Sequence, residues 1–181
     1  DYGGGNQLLV SPNMFREFFL PGFQQVVSAI KDMGVFCFKH CCGDINEILD
    51  DMVATGIDVL HPLDPSANMD IMAVKEKYNI PIYACRQEEE MLREPSVNMT
   101  AHYGKNCSII PDVLLNDLEV FQVAGFTIQI IHTPGHTKGS CCYYIEEEDV
   151  LFSGDTVFYG SVGRTDFPGG STADIVRSLH K

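Results

Sequence analysis

Two short words in the last third of the chain carry the residues best suited to chemistry. His132-Thr133-Pro134-Gly135-His136-Thr137-Lys138-Gly139-Ser140 follows one apolar run, and Phe152-Ser153-Gly154-Asp155-Thr156 closes another. His136 stands just after a Pro-Gly turn and Asp155 just after a glycine. Each is therefore expected at a strand end, exposed at a sheet edge on a rigid base. An imidazole nitrogen with a carboxylate oxygen suits zinc, iron or manganese. The carboxylate has two oxygens, so Asp155 could bridge two ions. Two ions sharing a water bring its pKa toward neutrality, supply hydroxide and polarise a carbonyl. A loop histidine and a turn-capping aspartate are the plainer alternative for any such pair.

Those residues need a scaffold, and the composition supports one. The chain has 181 residues, 45% hydrophobic and 20% charged, which is the make-up of a core-forming protein. Its formal charge of −13 repels polyanions, so nucleic acid is not expected as a partner. Seven cysteines are an odd number, and Cys41-Cys42 and Cys141-Cys142 are adjacent. Neighbours on a strand face opposite ways, so neither pair reads as a disulfide framework. With no signal peptide, the cytoplasm is the expected setting. No apolar run approaches the ~20 residues of a membrane span. The chain opens at Asp1 in a loop pattern and stops at Lys181 in a helical one, which reads as cut at both ends.

The first part alternates helix and strand. Ser11-Pro12 starts a helix whose apolar face runs Phe15, Phe18, Phe19, Phe23, Val26, Val27 and Ile30, with a kink at Pro21 and an end at Gly34. Residues 35–39 read as a buried strand leading to His40-Cys41-Cys42-Gly43. Asp44 and Glu47 read as a capping box for a helix closed by Gly56. A strand over 57–60, a loop, a helix over 70–78 and a strand over 80–84 follow. This rhythm implies a parallel sheet or barrel segment. After a short acidic helix over 87–93 and a long loop, the pattern changes to strands with tight turns. Residues 121–123 and 126–131 flank the turn Ala124-Gly125, and strands over 141–145 and 150–152 come next. A glycine-rich loop over 160–170 leads to a helix from Thr172. Glu88-Glu89-Glu90 and Glu146-Glu147-Glu148 read as solvated faces.

From about Pro81 to Lys181 the chain resembles the second portion of metallo-β-lactamase-fold hydrolases, near their glyoxalase II-like (hydroxyacylglutathione hydrolase-type) branch. The resemblance rests on the words His132 to Ser140, Phe152 to Phe158, and Gly163-Arg164-Thr165-Asp166-Phe167-Pro168-Gly169-Gly170, in the family's order. It implies that His136 is a metal ligand, that Asp155 bridges two ions and serves catalysis, and that His132 supports. It also implies cleavage of thioesters or related acyl bonds by metal-bound hydroxide. Two further words of that family are absent: an early His-x-His-x-Asp-His and a late Gly-His-Gly-like one. His61-Pro62-Leu63-Asp64 and His180 do not replace them. Two ligands are fewer than the three or four that zinc takes.

Residues 1 to about 79 resemble the C-terminal part of the uroporphyrinogen decarboxylase-like family, which includes corrinoid-dependent methyltransferases. The matching stretches are Leu9 to Pro21, His40 to Gly43, Ile48 to Asp51, Gly56 to Pro65 and Met69-Asp70. They span about a third of a barrel of ~250 residues. The methyltransferase branch implies zinc binding by a His-x-Cys pair, here His40 and Cys42. A strand-end histidine and a buried cysteine are the alternative. Val74 to Tyr83 reads as helix, turn and strand in either family.

The sequence thus predicts an α/β chain: a partial (β/α) barrel segment over 1–79, then a partial metallo-β-lactamase αβ/βα half-sandwich over 80–181. The function implied by resemblance is a metal-dependent hydrolase of thioester or related acyl bonds, incomplete or inactive as this chain. A decarboxylase- or methyltransferase-like fragment and a non-catalytic fusion are the alternatives. The candidate site residues are His136, Asp155, His40 and Cys42. Zinc, or iron or manganese, is the expected cofactor, with two ions in the intact family. A small acyl or thioester substrate is the expected partner, without nucleic acid or membrane, and oligomers could form through exposed apolar surface.

Overall fold

The computed structural model describes residues 1–181, the side chain of Tyr103 excepted. The chain divides into two compact units, Asp1–Val74 and Lys75–Lys181.

In the first unit a small hairpin, β1 (Gly3–Gly4) and β2 (Gln7–Leu8), precedes a helical stretch beginning at α1 (Pro12–Met14). The Ser11 hydroxyl accepts from the Met14 N–H, and Pro12 fills the first turn, where no donor is needed. The helix widens into a π-turn over Phe15–Phe19 and continues as α2 (Leu20–Asp32). Pro21 explains the wide turn, because it has no N–H and its ring excludes the carbonyl one turn back. The extra residue disturbs the apolar stripe. Phe15, Phe23 and Val27 are buried, but Phe18, Phe19 and Val26 are exposed, so the apolar face expected from the sequence is covered only in part.

Strands β3 (Phe38–His40) and β4 (Val59–His61) are parallel, with His40 beside His61. Helix α3 (Leu49–Ala54) connects them, and Gly56, at φ +87°, ends it. The buried strand expected over 35–39 starts later, and Phe36 and Phe38 are 56% and 58% exposed. A two-stranded pair has too little breadth to bury both faces. The Asp44–Glu47 capping box does not form either. The Asp44 carboxylate accepts from the backbone and side-chain nitrogens of Asn46 in a local turn, and the helix enters through a tight turn at Asn46–Ile48. Helix α4 (Ile71–Tyr78) is capped by the Asp70 carboxylate, which accepts from Met72 N and Ala73 N.

In the second unit β5 (Tyr83–Cys85) and β6 (Val113–Leu115) form a parallel pair, with the short helix α5 (Glu89–Arg93) between them. Four antiparallel strands follow: β7 (Val120–Val123), β8 (Phe126–His132), β9 (Cys141–Ile145) and β10 (Val150–Phe152), ordered β10-β9-β8-β7. Ala124 and Gly125, at φ +53° and +86°, make the tight turn that suits the strand twist of β7–β8. Cys85, Leu115 and Ile130 form a buried cluster with Tyr83, Val113, Phe121, Cys141 and Tyr143 packed around it. The parallel pair therefore lies against one face of the four-stranded sheet. Tyr83 stacks on Phe121 at 5.3 Å between centroids, an arrangement worth about 0.5–1.5 kcal/mol beyond burial. A hairpin of β11 (Val157–Phe158) and β12 (Ser161–Val162) leads through the glycine-rich loop to α6 (Thr172–Ser178). The Ser171 hydroxyl caps α6 by accepting from Asp174 N.

All seven cysteines are free thiols, and Cys41 is buried while its neighbour Cys42 is exposed. Among the described residues no helix is long and apolar enough to cross a membrane.

Candidate active site

Strand β8 ends at His132, and the chain reverses through residues 133–140 before β9. Thr133 N donates to the Ser140 carbonyl at 2.8 Å and Gly135 N to the Thr137 carbonyl at 2.9 Å. A ring nitrogen of His132 bonds the Lys138 carbonyl at 2.9 Å, so His132 braces the turn instead of facing the candidate site. Helix α6 backs the turn: Ser171 N donates to the Gly135 carbonyl and the Ser178 hydroxyl to the Pro134 carbonyl, both at 2.8 Å. Glycine is required at 135, since φ is +146° and a β-carbon there would overlap Ile175 of α6.

The second turn follows β10. Thr156 N donates to the Ser153 carbonyl at 3.1 Å, which presents Asp155 at the tip. Gly163 passes so close that a β-carbon on it would overlap the Asp155 carbonyl. Both turns are joined from beneath by the Thr133 and Thr156 hydroxyls, 2.8 Å apart and buried.

This scaffold brings His136 and Asp155 together, Nε2 to Oδ2 at 3.3 Å. His136 Nδ1 lies 2.8 Å from the Arg164 carbonyl, which can only accept. Nδ1 therefore carries a proton, and Nε2 faces the carboxylate, donating to it when protonated and offering its lone pair to an ion when not. A backbone carbonyl fixing the far nitrogen is the usual support of a metal-binding imidazole. The edge of one of the His136 and Phe167 rings meets the face of the other at 5.1 Å. Arg164 lies over the Phe167 ring at 4.5 Å and pairs with both Asp166 oxygens at 2.6 Å. That guanidinium holds the Asp166 carboxyl at about 2, below the ordinary aspartate value. The His136 side chain is 16% exposed and that of Asp155 58%, so a recessed imidazole stands beside an open carboxylate.

A nitrogen lone pair and a carboxylate at this spacing fit one edge of a metal's coordination shell. They do not fit a complete one. Among the described residues no third His, Cys, Asp or Glu joins them within ligand range. The pair could hold an ion firmly only with other donors, since zinc takes three or four protein ligands.

His40 and Cys42 also come together, Nε2 to Sγ at 3.1 Å, in the first unit. Cys42 N donates to Asp1 Oδ1 at 3.3 Å, and the ligand atoms of Asp1, His40 and Cys42 all lie within 4.8 Å of one another. The β3–β4 register sets His61 beside them, its Nδ1 3.2 Å from His40 Nδ1.

One residue read as solvated is not. Glu88 Oε2 accepts from Gly139 N at 2.7 Å and from the Thr137 hydroxyl at 3.0 Å, on the turn that carries His136. These partners are 51 and 49 residues away, so no local pattern could reveal them.

Comparison with known proteins agrees with this architecture. Residues 69–181 match the model of the metallo-beta-lactamase superfamily, and residues 4–85 match that of uroporphyrinogen decarboxylase. The chain belongs to the metallo-beta-lactamase superfamily. The two matches overlap in the helix and strand that read acceptably in either family. The hydroxyacylglutathione hydrolase GloC of Haemophilus influenzae is 31% identical over 111 residues, 60% of this chain and 52% of that protein. The chain spans about half the length of the first curated relatives it matches. In structure it resembles the BLEG-1 B3 metallo-beta-lactamase (TM-score 0.63, 30% identity, 77% of this chain and 70% of that one). It also resembles TTHA1623 in a di-iron-bound form (TM-score 0.56, 27% identity, 78% and 72%). Metal ions are thus a feature of its structural neighbourhood.

Proposed function

We propose that residues 80–181 supply the His136–Asp155 half of a metal-dependent hydrolase site of the glyoxalase II-like kind, acting on thioesters or related acyl bonds. The observation that carries this reading is the His136 ring itself: Nδ1 is engaged by the Arg164 carbonyl, and Nε2 faces Asp155. An ion held there would supply a bound hydroxide and polarise the acyl carbonyl. Within this chain His136 and Asp155 would hold that ion, and Thr133, Thr156 and Gly163 would keep the two turns in register. Two protein ligands are too few for a pair of ions, so the chain by itself is proposed to be catalytically incomplete. The relevant assay is hydrolysis of S-lactoylglutathione by the purified chain supplied with zinc, iron(II) or manganese(II). No turnover above the metal-only control is expected. Turnover abolished by His136→Ala would show the site to be complete after all, and turnover indifferent to His136 would remove the hydrolase reading.

A second reading concerns the first unit, where the β3–α3–β4 arrangement and the match over residues 4–85 support a barrel fragment over 1–79. The convergence of Asp1, His40 and Cys42 favours a separate single-metal site there. Cobalt(II) should then give a thiolate charge-transfer band that Cys42→Ser abolishes. Absence of that band in the unaltered chain would count against it.

A further inference from the structure

We propose that Glu88 is the positioning residue that keeps His136 in its ligand-bearing conformation; this rests on the reading of His136 as a metal ligand. The backbone of His136 is anchored on both sides. Before it, the Gly135 carbonyl accepts from Ser171 N of α6. After it, Thr137 is tied through its hydroxyl to Glu88 Oε2, the same oxygen that accepts from Gly139 N. The Thr137 hydroxyl also lies 2.8 Å from that of Ser140, which in turn accepts from Thr137 N at 2.9 Å. One carboxylate oxygen therefore reaches the Thr137 backbone through a short chain of bonds. A bond from a backbone N–H to a charged carboxylate is roughly twice as strong as a neutral one.

Glu88 is itself held on a firm base. It follows β5 by three residues, and the Arg86 side chain fixes that turn to β6 by donating to Asn116 Oδ1 at 3.0 Å and to the Leu114 carbonyl at 3.2 Å. The fit on the other side is equally close. A β-carbon on Gly139 would overlap both the backbone and the carboxylate of Glu88, so the glycine makes room for the acid. Position 139 and position 88 thus form a matched pair. Glu88 touches neither His136 nor Asp155 in any contact described above, and it acts through the turn.

The test uses the full chain and two readouts. The first is the tautomer of His136 without metal, from long-range nitrogen–proton spectra of the imidazole. The second is the zinc-induced shift of His136 Nε2 during titration with zinc alone. In its neutral form the His136 ring of the unaltered chain should show the Nδ1–H tautomer alone. Glu88→Ala should mix the two tautomers and weaken the zinc response by about 10-fold or more, the usual effect of losing an outer support of a metal ligand. Glu88→Gln should stay near the unaltered chain, because its amide oxygen can accept the same two bonds. Thr137→Val, which removes one of them, should lie between, and it decides the matter if Glu88→Ala does not fold. A contribution to stability alone would lower the unfolding temperature without moving the tautomer. A folded Glu88→Ala or Thr137→Val chain with the original tautomer and zinc response overturns the proposal. If zinc leaves His136 unmoved in the unaltered chain, the metal reading fails, while the tautomer comparison still judges Glu88.

Discussion

Replacing Thr156 by valine tests how the two turns are held together. The substitution keeps the branched shape and volume but deletes a hydroxyl that sits 2.8 Å from that of Thr133, at sites 3% and 4% exposed. Thr133 would be left with the sulfur of Cys142 at 3.5 Å, a poor substitute. Leaving one buried hydroxyl without its partner costs about 1–3 kcal/mol, whereas removing both partners together is close to neutral. Thr133→Val and Thr156→Val should therefore each destabilise the second unit by about 1–3 kcal/mol, and the double variant by no more than either single one, a coupling of at least about 1 kcal/mol. The chain contains no tryptophan, so native-state hydrogen exchange is the better probe. The Ile130 amide, which donates to the Glu119 carbonyl at 3.0 Å, reports the opening of this sheet. Each single variant should speed its exchange about 5- to 150-fold. Single effects that simply add, or that stay near zero, would refute the claim that this pair registers the two turns.

Gly135→Ala should cost at least about 2 kcal/mol, combining a strained backbone with overlap on α6, and lower the urea midpoint without changing the slope. Gly163→Ala should shift the backbone resonances of the Asp155 turn while leaving the β7–β8 hairpin unmoved, since the three atoms nearest the new methyl group all belong to Asp155. Asp166 should titrate at about 2, and Arg164→Ala should return it toward the ordinary aspartate range, as read from its carboxyl carbon shift. Because its folded value is depressed, its share of stability is complete above the ordinary value and is lost as pH falls through about 2. The Cys85 thiol should titrate below the ordinary cysteine value, because the hydrogen bond from Cys141 favours its thiolate, and Cys141→Ala should raise it in the Cβ shift titration.

Much of the second unit was legible because its signals are local. Alternating residues and the Ala124-Gly125 turn announce the β7–β8 hairpin, and Pro134-Gly135 and Gly154 mark the turns that carry His136 and Asp155. Ser11-Pro12 likewise announces its helix. What escaped is what depends on distant partners. β6 carries three residues whose place is set by β5, some 30 positions earlier, and no motif marks that pairing. Glu88 sits in an acidic run that looks solvated until Gly139 is brought against it. Asp44 failed as a helix cap because Asn46, two residues on, competes for the same carboxylate. The short strands of the first unit shifted because their helical periods and apolar runs do not specify which face a two-stranded pair leaves open.

The most direct measurement is a zinc titration of the full chain followed at each histidine ring by nitrogen NMR, with His136→Ala and Asp155→Asn alongside. His136 should bind through Nε2 with Nδ1 still protonated, weakly in this chain alone, and Asp155→Asn should weaken the response further. A His136 Nε2 resonance that stays in place while zinc binds elsewhere, or that is indifferent to Asp155, would contradict it.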